Sequence, residues 1–138
     1  MTMSNPLIYP MAAHIGLTAF LYALLTVVRA PAVWGLGRRS DGTNPWAKLE
    51  PRISANLSNQ FEWPVFFHGI CLLLTLVHGE STAQLWLAWI FVAGRLAHSG
   101  VQVFTANVRL RGAVFAINFM AVLVMWGLLL WAQAGAAG

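Results

Sequence analysis

Two sets of polar side chains keep helical spacing inside an otherwise apolar chain. Arg52, Asn56, Asn59 and Glu62 follow one another at intervals of three or four residues, as do Arg95, His98, Gln102, Thr105 and Arg109. At about 100° per residue each set lies on one helix face, the first within an arc of about 120°. Guanidinium groups, a carboxylate, amides and an imidazole gathered in this way can pair with a polar, charged ligand. A plainer reading is that they hold helices together, as polar side chains do in membranes. The concentration of cations beside a carboxylate favours the ligand. A third reading, an ion or proton pathway, would rest on Glu62, Arg95 and His98.

The segments carrying these residues are suited to lipid rather than water. Of the 138 residues, 59% are hydrophobic and 9% charged, too apolar for an ordinary soluble domain. Four stretches approach the roughly 20 apolar residues that a membrane crossing needs, near 7–28, 53–77, 83–104 and 112–131. The sequence therefore predicts an all-α, integral membrane four-helix bundle forming a single domain over 1–138. The first connection, with Gly35, Gly37, Asp41, Gly42, Asn44 and Pro45, reads as turn and interface chemistry. The second, from His78 to Ser81, is short enough to make spans two and three an antiparallel hairpin.

Basic residues orient the spans. Arg29, Arg38, Arg39, Lys48 and Arg52 lie in or beside the first connection and Arg109 and Arg111 in or beside the third, while the second connection and both tails have none. Lys and Arg stay on the cytoplasmic side, so both termini are expected on the non-cytoplasmic side. Trp86, Trp89, Trp126 and Trp131 then form an aromatic belt at the outer interface. The first span has no basic n-region and is longer than a signal core, and is expected to be retained.

In this orientation the polar stripe occupies the cytoplasmic half, which suits a ligand entering from that side and argues against a through-pathway. Glu62 and Arg95 lie about ten residues, or roughly 15 Å, inside their spans. An unpaired charge at that depth costs at least several kcal/mol, so the two are expected to neutralise one another, within a chain or across a subunit boundary. Asn59 and His98 would add hydrogen bonds. Pro64 predicts a kink beside the stripe. His14, His68 and His78 stand apart from the stripe without metal-ligand spacing, so no metal is expected. A Gly-rich phosphate loop and a recognisable nucleophile context are both lacking. Cys71 reads as a packed hydrophobe. The net charge of +4 includes no dense basic cluster, and nucleic acid is not an expected partner.

Arg52, Asn59, Glu62 and Pro64 resemble the Arg, Asn-x-x-Glu and Pro signature of the membrane-associated proteins in eicosanoid and glutathione metabolism, the MAPEG family. The segment from Gly94 to His98 resembles the Arg-x-x-His segment of its microsomal glutathione transferase and prostaglandin E synthase branch, and a basic turn with Arg109 and Arg111 follows. The resemblance covers most of the chain. It implies a homotrimer in the lipid bilayer that binds glutathione between subunits, open to the cytoplasm, and acts as a transferase or peroxidase on hydrophobic electrophiles. Asn59 and Glu62 would hold the peptide end of glutathione, while Arg52 and first-loop arginines such as Arg38 would hold its carboxylates. Arg95, His98 and Gln102 would line the same pocket. Arg111, with Arg109 as the alternative, would stabilise the thiolate. Where many relatives have a tyrosine this chain has Gln102, which cannot serve as a phenolic acid, and Ala55 replaces a second arginine. The alternative function is a non-catalytic lipid-binding or partner-binding scaffold of the same fold.

Overall fold

A computed structural model describes residues 5–138. All regular structure among them is helical, in five elements: α1 (Ile8–Trp34), α2 (Glu50–Ser58), α3 (Pro64–Leu76), α4 (Thr82–Phe104) and α5 (Val108–Ala136). Helices α1, α4 and α5 are long and apolar enough to cross a membrane, whereas the apolar α3 is shorter. They coincide with the first, third and fourth predicted spans, α1 and α5 running some residues further. The predicted second span is not one helix: the expected four helices are five.

Pro64 causes the division. A proline ring clashes with the carbonyl four residues earlier and offers no N–H, so a helix cannot run undisturbed through residues 60–64. The last turn of α2 tightens, with Gln60 N donating to Leu57 O at 3.0 Å and Phe61 N to Ser58 O at 3.0 Å. Proline suits the first turn of a new helix, and α3 starts on Pro64. Tightening leaves the Asn56 and Asn59 carbonyls without their usual donors, which inside a membrane must be replaced. Gln60 Nε2 donates to Asn56 O at 3.0 Å, and Arg95 Nη2 donates to Asn59 O at 3.0 Å. The break and the buried arginine therefore explain each other.

The remaining ends are capped locally. Ser81 Oγ accepts from Gln84 N at the start of α4, and Asn107 Oδ1 accepts from Leu110 N at the start of α5. Gly35 ends α1 in the left-handed region at φ 72°, the conformation glycine adopts without penalty. Arg38 Nε donates to Pro31 O at 2.7 Å, and the ion pair of Arg29 Nε with Glu50 Oε1 at 2.6 Å ties α1 to α2.

Two apolar cores result. One gathers Phe67, Ile70, Cys71 and Leu74 of α3 with Phe91 of α4 and Val122 and Met125 of α5; the other gathers Leu17, Leu21 and Leu25 of α1 with Ile53, Leu57 and Val103. Buried polar residues include His14 of α1, Asn56 of α2, Gln60 of the α2–α3 junction and Arg95, His98, Ser99 and Gln102 of α4; His14 borders the first core, its ring 5.7 Å from that of Phe91. Asn118 on α5 approaches α4 at Gly94, where an added Cβ would sit 2.2 Å from Asn118 Oδ1. Gly94→Ala must displace the buried Asn118 side chain, and is expected to cost about 1–3 kcal/mol. Its denaturation midpoint in detergent should fall accordingly; an unchanged midpoint would show that the α4–α5 contact yields freely.

Candidate functional site

Breaking the second span moves Glu62 off the helical face it was expected to share with Arg52 and Asn56. Residues 59–63 become a short irregular segment, and Asn59, Glu62 and Trp63 wall a cavity of about 470 Å³ with Phe66, Arg95, His98 and Phe115. That volume is in the range of small-molecule sites. A groove of about 290 Å³ lies toward the N-terminal end of α2 and the α4–α5 turn, lined by Arg52, Ala55, Gln102, Thr105, Asn107 and Arg111 among others. Gln102 joins the two regions: its Oε1 accepts from Asn56 Nδ2 at 2.9 Å and from Asn59 Nδ2 at 3.0 Å. A polar seam therefore runs along α4 from Arg95 to the turn that carries Arg111.

The expected pair between Glu62 and Arg95 does not form within the chain. Among the described residues the ion pair is that of Arg29 and Glu50. Arg95 is 1% exposed, and its guanidinium is solvated by neutral dipoles, Asn59 O at 3.0 Å and Gln60 Oε1 at 3.3 Å. The physical reason is the break, which supplies an unpaired carbonyl at that depth and turns Glu62 to the exposed rim. Asn59 does serve Arg95, but through its main chain. His98 does not.

Among the described residues His98, 4% exposed, has no hydrogen-bond partner at Nδ1, and Trp63 Nε1 is equally sealed and unpartnered. Both rings line the 470 Å³ cavity. Orphaned buried polar atoms each cost about 1–3 kcal/mol, a cost that a ligand in the cavity relieves only where these rings turn toward it. Of the other expected residues, Arg52 and Arg111 line the groove, and Arg109 is exposed on the first turn of α5. Arg38 is engaged at the end of α1, donating to Pro31 O and, at 3.4 Å, to Ala32 O. Thr105 Oγ1 donates back to Val101 O at 2.7 Å.

Sequence reasoning missed the residue that ties this network together. Gln60 Oε1 accepts from Arg95 and contacts His14 Nε2 at 3.0 Å, and His14 Nδ1 meets His68 Nε2 at 3.0 Å. His14 and His68, set apart from the stripe by their distance in sequence, are thus joined to it. The signal was available, since a histidine inside a membrane span calls for a partner. The packing of α1 against the α2–α3 junction, which decides the partner, was not. Among the described residues no cluster of three or more His, Cys, Asp or Glu could hold a metal.

A family model, described as the MAPEG family, matches residues 7–131. No curated protein and no solved structure matches the chain.

Proposed function

Because the chain belongs to the MAPEG family, an integral membrane family, we propose that it is a glutathione-dependent transferase or peroxidase acting on lipophilic electrophiles. The observation that carries the reading is the continuous seam from the Arg52 and Arg111 groove, across Gln102, to the Glu62, Arg95 and His98 cavity. Glutathione carries two carboxylates, an ammonium and a thiol, for which arginines at one end and a carboxylate at the other are complementary.

Bound there, glutathione supplies a nucleophilic thiolate. Arg52 holds a carboxylate, while Asn59, fixed by Gln102, and Glu62 bind the opposite end. Arg111 provides the positive potential that favours thiolate over thiol, and is preferred to Arg109 because it shares the groove with Arg52. Arg38 is left out, since its guanidinium already serves the end of α1. Apolar walls such as Phe66 and Phe115 admit the electrophile from the bilayer and exclude water. Within this proposal α2 and α3 together make the second of four crossings, both termini lie on the non-cytoplasmic side, and the chain forms a homotrimer whose neighbours close the exposed rim around Glu62.

Gln102 favours one competing reading. Its carbonyl is held by two asparagines and it offers no acidic proton, as in a scaffold that binds without catalysis. Titrating glutathione into the purified protein while following thermal unfolding separates binding from none: the midpoint should rise with ligand. No shift at millimolar glutathione would end the glutathione proposal. Glu62→Gln should leave the ligand-free midpoint within about 0.5 kcal/mol of the parent, because among the described residues its carboxylate has no ion pair to lose. It should also shrink the glutathione shift, and a large loss of ligand-free stability would show that Glu62 is a structural partner instead.

A further inference from the structure

The buried network has a direction. A guanidinium can only donate hydrogen bonds and a main-chain carbonyl can only accept them. Arg95 Nε lies 3.3 Å from Gln60 Oε1, and Gln60 Nε2 lies 3.0 Å from Asn56 O. These two contacts fix the amide of Gln60 with its oxygen toward Arg95 and its nitrogen toward α2. His14 Nε2, 3.0 Å from the same oxygen, must therefore donate. In a neutral imidazole the other nitrogen then accepts, so His14 Nδ1 takes a hydrogen from His68 Nε2 at 3.0 Å. The neutral ring of His68 is left with a lone pair on Nδ1, which has no partner among the described residues.

His68 lines a second cavity, of about 350 Å³, walled by α1 and the α2–α3 junction and sharing no lining residue with the cavity at Glu62. Its remaining walls are chiefly apolar and aromatic. Tyr22 and Phe61 meet edge-on with ring centroids 6.3 Å apart, and Thr18 spends its hydroxyl on His14 O at 3.1 Å. The cavity thus sets the His68 imidazole beside a place for an aromatic ring.

We propose that this cavity binds a lipophilic phenol, whose hydroxyl donates to His68 Nδ1 and whose ring packs beside Tyr22 and Phe61. A phenol is a stronger hydrogen-bond donor than an alkyl alcohol, and aromatic pairs add to simple burial. An anion would meet a lone pair, and an ether would offer no hydrogen. The site is separate from the one proposed for glutathione, and its existence does not depend on that proposal.

The test uses the whole protein in lipid nanodiscs and fluorine NMR of para-trifluoromethylphenol, its methyl ether and para-trifluoromethylbenzoate. The phenol should bind saturably, about tenfold or more tightly than the ether, as one lost hydrogen bond allows. His68→Phe should remove that preference. Because His68→Phe also strips a partner from His14, Ala19→Phe provides a second variant: Ala19 is exposed on the cavity wall, and a larger side chain there should block saturable phenol binding while the thermal midpoint holds. Equal binding of phenol and ether, tightest binding of the benzoate, or unaltered phenol binding by Ala19→Phe would each overturn the proposal.

Discussion

Replacing Arg95 with methionine is expected to destabilise the protein by about 2–4 kcal/mol, read from the denaturation midpoint in detergent. The side chain is 1% exposed and is the donor for Asn59 O. Without it that carbonyl, freed by the break before Pro64, loses its side-chain donor and keeps only what water the cavity admits. Methionine fills part of the volume and removes the cost of burying a charge, which offsets some of the loss. Arg95→Lys keeps the charge but cannot serve Asn59 O and Gln60 Oε1 in the same planar fork, so its midpoint should fall between the two. If Arg95→Met lies within about 0.5 kcal/mol of the parent, the break is sustained by something other than Arg95.

The second large effect is on chemistry. Arg111→Ala should lower the rate of glutathione conjugation to a lipophilic electrophile by about 10²–10³, the usual scale for losing one electrostatic stabiliser of a reacting anion. Arg111 is exposed at the groove and forms no ion pair among the described residues, so stability should hardly change. Arg109→Ala is the control and should lower the rate less than tenfold. A reversal of the two would place the activating cation at Arg109.

How much of this was legible in the sequence depends on whether the information is periodic. The apolar runs of α1, α4 and α5 and the face shared by Arg95, His98 and Gln102 are properties of single helices, and they were read from spacing alone. Pro64 announces the break, yet helical spacing from Arg52 places Glu62 correctly only on a helix that continues through it. Losing that continuity undoes the expected pair with Arg95. Gln60 was visible as a polar residue in the run from Arg52 to Glu62, but its role depends on which carbonyls the break frees and on how α1 packs against it. The same packing brings His14 to His68 across 54 positions of sequence. Asn118 is buried at 0% exposure against Gly94, with both side-chain polar atoms unpartnered among the described residues, and neither helix considered alone predicts the meeting.

The seam along α4 acquires a function only if it binds glutathione and holds it ionised. The ultraviolet difference spectrum of glutathione added to the purified protein reports both at once, because the thiolate absorbs where the thiol does not. A saturable thiolate band at neutral pH that survives Arg109→Ala and disappears in Arg111→Ala is the predicted result. Saturable binding with no thiolate band in the parent protein would contradict it and leave a binding scaffold in place of an enzyme.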